Sequence, residues 1–525
     1  MSKNKDGNKK CESCGDEFWS DNLDEVKKCS KCSADPNSIV SKLWNYCDYL
    51  QDDGVDYSDY TQQLTNILFL KMADELTKPP HKKKSMIPKG YDWGTLLNKS
   101  GEELRDHYNS ILKKLGTEKK LLGLIYRGSE NKIRAPAKLS KLIKLIDGES
   151  WMNLSVDVKG EIYEGLLQKN ADSSQKGAGQ YFTPRALIEA IVDVTEPKLG
   201  QTIGDPSCGT GGFFLQAHNY LNKKYEKTMN PDQSKFLKEK TFHGVDLLQD
   251  VIRLCAMNMY LHGIGDTESQ IKEADSLLAD DGQRFDIVMT NPPFGKKSKE
   301  KAWSQTGKIE VNSTDYERGD FWTTTSNKQL NFIQHIKTIL KPNGKCAVVV
   351  PDNVLFEGGA GETIRKKLLE QFDLHTMLRL PTGIFYAGGV KANVLFFDKK
   401  IPREDGKAWT KKLWIYDLRT NIHFTQKEKK LARADLDEFV KCYNAADVSK
   451  RKEDTKDEER RWRSYTYNEI IKRDKTSLDI FWLKDDSLMD LENLPEPDVI
   501  ADEIKENLES ALESVTELIE NLKNK

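Results

Sequence analysis

No apolar run in this 525-residue sequence approaches the ~18–20 residues that a membrane-spanning helix needs. The segment from Met1 to Cys11 is polar and charged with no apolar stretch behind it, so no secretory signal is visible and a cytoplasmic protein is expected. Basic charge is not in excess: 81 Lys and Arg against 83 Asp and Glu leave a net charge of −2. Phosphate contacts supply most non-specific affinity for nucleic acid, so a DNA-binding role would need clustered basic residues or a partner chain. A Gly-x-x-x-x-Gly-Lys-Ser/Thr loop is missing, which excludes a phosphate-loop motor of the helicase kind. No nuclease-type carboxylate constellation stands out, and there are no internal repeats.

What is present is a globular composition, 37% apolar and 31% charged, with 10 Trp, 18 Tyr and 19 Phe to fill large cores. The length calls for more than one domain. Residues 1–36 are polar and punctuated by cysteine. Residues 37–160 carry apolar residues at spacings of three and four, as in Val40, Leu43, Trp44, Cys47 and Leu50, and predict an all-helical domain. Over 161–426 short apolar strands (202–204, 241–245, 285–290, 346–350) alternate with helical patterns such as Gln249–Leu261. That texture predicts an α/β domain with a parallel sheet and crossover helices. A β-rich stretch, Leu380–Phe397, includes a Gly388-Gly389 turn. Residues 427–525 are charge-dense, with a mobile loop expected at Val448–Arg461 and an amphipathic helix after Pro497. Ile500, Ile504, Leu508, Ala511, Val515, Leu518 and Leu522 stripe that helix, opposite Glu503, Glu506, Glu513, Glu517 and Glu520. The stripe suits either a partner subunit or the chain's own domain.

Three motifs carry chemistry. Asp205-Pro-Ser-Cys-Gly-Thr-Gly-Gly-Phe213 follows a strand and opens a helix. Its glycines permit close backbone approach to a ligand, although a plain strand–helix turn would look similar. The leading acid and the missing phosphate-binding Lys favour an adenosylmethionine loop. Asp246, at the end of the next strand, suits ribose hydroxyls or a helix cap. Asn291-Pro292-Pro293-Phe294 ends an apolar strand. An exocyclic aromatic amine is a poor nucleophile because its lone pair is delocalised. Acceptors on its N–H groups, such as the Asn291 carboxamide oxygen and the Pro292 carbonyl, draw the nitrogen toward tetrahedral geometry. The prolines hold both acceptors in advance, and Phe294 offers a face to a flipped base. In Gly177-Ala-Gly-Gln-Tyr-Phe-Thr-Pro-Arg185, Thr183 reads as a helix N-cap with Pro184 at the first helical position. The N–H groups at that helix start could bind a carboxylate.

In that order, Gly-Gln-Tyr-Phe-Thr-Pro-Arg, Asp-Pro-Ser-Cys-Gly-Thr-Gly-Gly-Phe and Asn-Pro-Pro-Phe-Gly resemble the modification subunit of type I restriction-modification enzymes, in its EcoKI-like group. Tyr163–Asn170, Thr325–Gln329, Val349–Gly359, Leu380–Phe385, Asp417–Asn421 and Leu494–Asp498 extend the likeness, which runs from about Ile39 to the C-terminus. The resemblance implies a Rossmann-like, S-adenosylmethionine-dependent DNA adenine-N6 methyltransferase domain behind an all-helical domain, protecting host DNA from a cognate restriction activity. It implies cofactor binding by Gln180, Tyr181, Phe182, Thr183, Pro184 and Arg185, by Thr210, Gly211 and Gly212, and by Asp246. Asp205, Gly209 and Asp275 would line the same pocket, and Asn291 to Phe294 would hold the target adenine. Ser207-Cys208 stands where relatives commonly have alanines, a change between small residues with no functional effect expected. The implied partners are DNA, a specificity subunit that reads the target and carries two modification subunits, and a restriction/translocase subunit.

The N-terminal segment is not covered by that likeness. Cys11-x2-Cys14-x14-Cys29-x2-Cys32 has zinc-ribbon spacing, two knuckles able to present four thiolates tetrahedrally to a structural Zn2+. A redox pair would not need both knuckles. Two enzymatic rivals remain, a methyltransferase acting on a protein or RNA amine and a restriction enzyme that also cleaves. A non-catalytic scaffold that kept the fold is a third.

Overall fold

The computed structural model describes residues 8–10, 17–19, 57–152, 183–265, 270–294, 299–303, 309–313, 316–385, 391–425, 429–453, 460–484 and 508. The chain divides into two compact units, Met1–Gly177 with Leu248–Lys272, and Ala178–Leu247 with Glu273–Lys525.

The first unit is helical over its larger described part. Its helices are Tyr57–Thr77, Trp93–Leu97, Gly101–Thr117, Lys120–Tyr126 and Pro136–Asp147. Gly101–Thr117 buries Leu104, Tyr108, Ile111, Leu112 and Leu115, the three/four stripe of an amphipathic helix, and carries Glu102 and Glu103 in its first turn, where negative charge favours the helix dipole. Inside this unit the Glu75 carboxylate accepts from the Trp151 and Met152 N–H groups at 2.9 and 2.8 Å. Lys71 Nζ and Trp93 Nε1 both donate to Asp147 Oδ1 at 2.8 Å. Gln249–Leu261 belongs to this unit: Leu254, Met257 and Tyr260 join its core, and Arg253 donates to the Ile125 and Arg127 carbonyls at 2.6 and 3.0 Å. Residues 251 to 261 are all buried, so no solvent face marks which core the helix serves. A short antiparallel pair, β1 (Asn8–Lys10) with β2 (Glu17–Trp19), flanks Cys11 and Cys14 in sequence. All four clustered cysteines lie outside the described residues. So do Gln180, Tyr181, Phe182 and the C-terminal helix apart from Leu508.

The second unit is built on a nine-stranded sheet, in which the edge strand β5 begins in residues of the first: β3 (Ile203–Asp205), β4 (Phe242–Asp246), β5 (Ile271–Glu273), β6 (Phe285–Thr290), β9 (Leu340–Pro351), β10 (Phe372–Arg379), β11 (Ala392–Lys399), β12 (Lys412–Asp417) and β13 (Trp462–Thr466). A separate hairpin joins β7 (Lys299–Trp303) to β8 (Ile309–Ser313). The strand order is β13-β12-β10-β11-β9-β6-β3-β4-β5. The sheet is mixed, not parallel as the strand–helix alternation suggested. β3, β4, β6 and β9 run parallel, but β11 pairs antiparallel with both β9 and β10. β11 follows β10 in the chain and inserts between β10 and β9, running against both. Its residues Ala392–Phe397 are buried, consistent with a central position. β13 closes the far edge against β12.

The loop expected at Val448–Arg461 is anchored where it is described. Arg451 is buried; its Nε donates to the Tyr443 carbonyl at 2.6 Å and its Nη1 to Thr376 Oγ1 at 2.9 Å. Arg461 donates to the Asp417 and Thr420 carbonyls at 2.8 and 2.9 Å. The charge-dense stretch suggests a mobile loop because a buried arginine held by a carbonyl and a hydroxyl has no local signature. Among the described residues no helix is long and apolar enough to cross a membrane.

Candidate active site

β3 lies beside β4 on one side and β6 on the other, so the direction of winding reverses between β3 and β6. Ligands of open α/β sheets bind at such a switch point, outside the carboxyl ends of the strands. The registers Ile203↔Ile287 and Gly204↔Val288 bring the ends of β3 and β6 together. The first is followed by the Asp205–Gly212 loop, the second by Asn291–Phe294. Gly204 is required for that approach: a Cβ there would meet the Phe285 ring at 2.3 Å.

The loop is held from both sides. Cys208 N donates to the Val245 carbonyl at 2.9 Å, and Gly209 N to Asp246 Oδ2 at 3.2 Å. Ser276 Oγ donates to the Pro206 carbonyl at 2.6 Å, which brings the Asp275 turn to the same loop. Gly211, at φ 82° and ψ 22°, caps the helix Gly212–Tyr225 in the left-handed region that disfavours side chains. Asp205 is fully buried and accepts from Ser207 N at 3.0 Å. Burial pushes its carboxyl pKa up to about 7, and the nearby Asp246 charge adds to the rise, against hydrogen bonds from Thr290 and Ser207.

The Asn291 turn is held as well. Asn291 Nδ2 donates to Thr183 Oγ1 at 2.9 Å. Thr183 is therefore not a helix cap. The helix Arg185–Thr195 has Pro184 at its N-cap and no side-chain capping bond. The sequence reading was one residue early because Thr-Pro before a helix has the local form of a cap, whereas this hydroxyl is turned to a partner 108 residues away. Gln329 Nε2 lies 3.5 Å from the Pro293 carbonyl oxygen, positioned by Asn327, whose Oδ1 accepts from Gln329 N and Leu330 N at the start of Lys328–Ile339. Phe294 packs edge-to-face on Phe385, with centroids 5.8 Å apart at 72°. Arg419 anchors the segment bearing Phe385, pairing with Asp352 at 2.6 and 2.8 Å and donating to the Leu380 carbonyl at 2.9 Å.

Gln329 and Phe385 were not singled out from sequence, although both lie in stretches that carry the resemblance. Tyr316 was missed too; its Oη donates to Asp275 Oδ2 at 3.3 Å, and no motif announces it. Among the described residues no His, Cys, Asp or Glu group is arranged to hold a metal.

Comparison with known proteins places this geometry. Residues 154–480 match the family model described as N-6 DNA Methylase, and residues 39–146 match the HsdM N-terminal domain. The methylase subunit of the type I restriction enzyme StySPI from Salmonella potsdam is 38% identical, covering 93% of this chain and 95% of its own. The chain belongs to the methylase subunits of type I restriction enzymes. The crystal structure of the EcoKI M protein shares 34% identity over 93% of this chain and 96% of that one, with a TM-score of 0.51. A chain from a type I R-M system solved for its complex assembly and conformational transition shares 25% identity over 93% and 99%, with a TM-score of 0.65.

This methylase subunit is thus an N6-adenine DNA methyltransferase that uses S-adenosylmethionine. The residues present fit that cofactor. The loop offers backbone and two convergent acids, Asp205 and Asp246, with no side-chain cation. That set would repel a phosphate and suits a cationic ligand with ribose hydroxyls.

Proposed function

We propose that Asn291, Pro292, Pro293 and Phe294 hold a flipped adenine while S-adenosylmethionine lies along the Gly loop. Thr210, Gly211 and Gly212 would line the cofactor, Gly209 would admit its close approach, and Asp205, Asp246 and Asp275 would supply acceptors. The segment Gln180–Arg185 would meet its methionine end. The observation that carries this reading is the adjacency of β3 and β6, with the Ser207 and Thr290 hydroxyls 2.8 Å apart. It supports a cofactor loop and a base-holding turn that share one crevice.

The bound cofactor supplies a methyl group activated by a sulfonium leaving group. The Asn291 carboxamide oxygen and the Pro292 carbonyl accept the two N–H bonds of the adenine amine and free its lone pair. Transfer of that methyl to the amine nitrogen would leave the carbon–sulfur electron pair on sulfur, and the surplus amine proton, held by the Asn291 oxygen or the Pro292 carbonyl, would pass to solvent. Phe294 stacks on the base, and Phe385 backs that ring.

Sequence specificity would come from a specificity subunit carrying two such chains, with a restriction/translocase subunit completing the complex. The stripe from Ile500 to Leu522 would pack on the specificity subunit. Cys11, Cys14, Cys29 and Cys32 would bind one structural zinc, a reading supported by the β1–β2 pairing that brackets the first knuckle.

Asn291→Ala tests the site. Methylation should fall ~100–1,000-fold, the usual effect of losing one preorganised hydrogen-bonding group, with cofactor affinity retained. An active Asn291→Ala complex would refute the assignment.

A further inference from the structure

A carboxamide is useful at Asn291 in one orientation only. Its oxygen can accept from an amine, but the inverted amide would set N–H against N–H. The two ends are nearly equal in size, so shape alone discriminates poorly between them. In this structure the nitrogen end is engaged: Asn291 Nδ2 donates to Thr183 Oγ1 at 2.9 Å. Thr183 is itself buried, so the contact is shielded from competing water. Two local features aim its hydroxyl. It is β-branched, which restricts its side-chain rotamers, and it precedes Pro184, which restricts its backbone. The hydroxyl makes no capping bond to the helix Arg185–Thr195 that it precedes.

We propose that Thr183 is a positioning residue that holds the Asn291 carboxamide by accepting from its nitrogen, which leaves its oxygen to be presented to the base. The proposal rests on the assignment of Asn291 to the target amine. It also gives Thr183 a second duty beside the cofactor role expected of it. Through this bond one side chain links the start of the helix Arg185–Thr195 to the Asn291 turn.

The test uses the methylation complex of this chain with its specificity subunit and compares Thr183→Val, Thr183→Ser and Thr183→Ala. Single-turnover methyl transfer at saturating cofactor and DNA should fall about tenfold in Thr183→Val and Thr183→Ala, equivalent to about 1.4 kcal/mol. Thr183→Ser keeps the hydroxyl and should recover to within about threefold. Calorimetric affinity for S-adenosylmethionine is measured in all three, and reading the rate at saturating cofactor separates any loss of binding at Thr183 from the loss of rate. A wild-type rate in Thr183→Val would overturn the proposal, as would a Thr183→Ser rate no better than that of Thr183→Val. A loss of rate that follows loss of cofactor affinity would also overturn it, leaving Thr183 a cofactor contact only. If Asn291→Ala proves active, the assignment of the site fails as a whole. If Asn291→Ala is inactive and Thr183→Val is unimpaired, only the role given to Thr183 fails.

Discussion

Ser207 Oγ lies 2.8 Å from Thr290 Oγ1, joining the cofactor loop to the last residue of β6. Thr290 in turn hydrogen-bonds to Asp205. Two hydroxyls and a buried carboxyl therefore form one chain across the switch point, whose middle member, Thr290, directly precedes Asn291.

If Asp205 faces the cofactor as proposed, that chain should make cofactor binding depend on pH. Asp205 has a folded pKa of about 7 against an ordinary 3.8, so between these values the folded protein holds a proton that the unfolded chain has lost. This group's contribution to stability therefore declines as pH rises from about 4 to about 7 and is level beyond. A cationic cofactor favours the carboxylate, so affinity for S-adenosylmethionine should rise with pH through about 7, with proton release near neutrality. Calorimetry in two buffers of different ionisation enthalpy measures that release. Asp205→Asn should abolish it, and Thr290→Val should move the midpoint upward by removing a hydrogen bond to the carboxylate. A flat profile in the wild-type protein would count against a protonated Asp205.

Gly204→Ala should destabilise the α/β unit by about 1–3 kcal/mol, the usual effect of overpacking a core, because the new Cβ meets the Phe285 ring at 2.3 Å. Thermal unfolding checks the loss. Adding Phe285→Leu should restore part of it, and an unchanged melting temperature in Gly204→Ala would mean that β3 and β6 pack less closely.

The purified chain should carry one zinc, measured by elemental analysis of reduced protein. Cys11→Ser with Cys29→Ser, which breaks both knuckles, should remove the metal and leave cofactor affinity unchanged. Metal-free wild-type protein would refute the four-thiolate reading.

Deleting residues 499–525 should leave cofactor binding intact and weaken both assembly with the specificity subunit and sequence-specific methylation. The lost contact is the apolar stripe, whose burial is worth ~25 cal/mol per Å². Full-stoichiometry co-purification of the truncated chain would assign the helix to its own domain instead.

The amino-acid sequence by itself determined the parts whose cause is local. An apolar run ending in Asp-Pro-Ser-Cys-Gly-Thr-Gly-Gly makes β3 and its turn, and another ending in Asn-Pro-Pro-Phe makes β6 and the base-holding turn. Both follow from strand propensity meeting glycine or proline. Spacings of three and four likewise predict the helices over 57–147. Only the tertiary structure decided which elements meet. From Val251 to Leu261 the helix Gln249–Leu261 is buried on every side, so its periodicity could not show that it joins the helical unit. β13 lies in a charge-dense stretch, and its pairing with β12 depends on register across the chain. Thr183 read as a cap because its neighbours suit one, yet its hydroxyl faces Asn291. Local propensity acts over a few residues, whereas a hydrogen bond between residues 108 apart exists only once the sheet has set both ends in place.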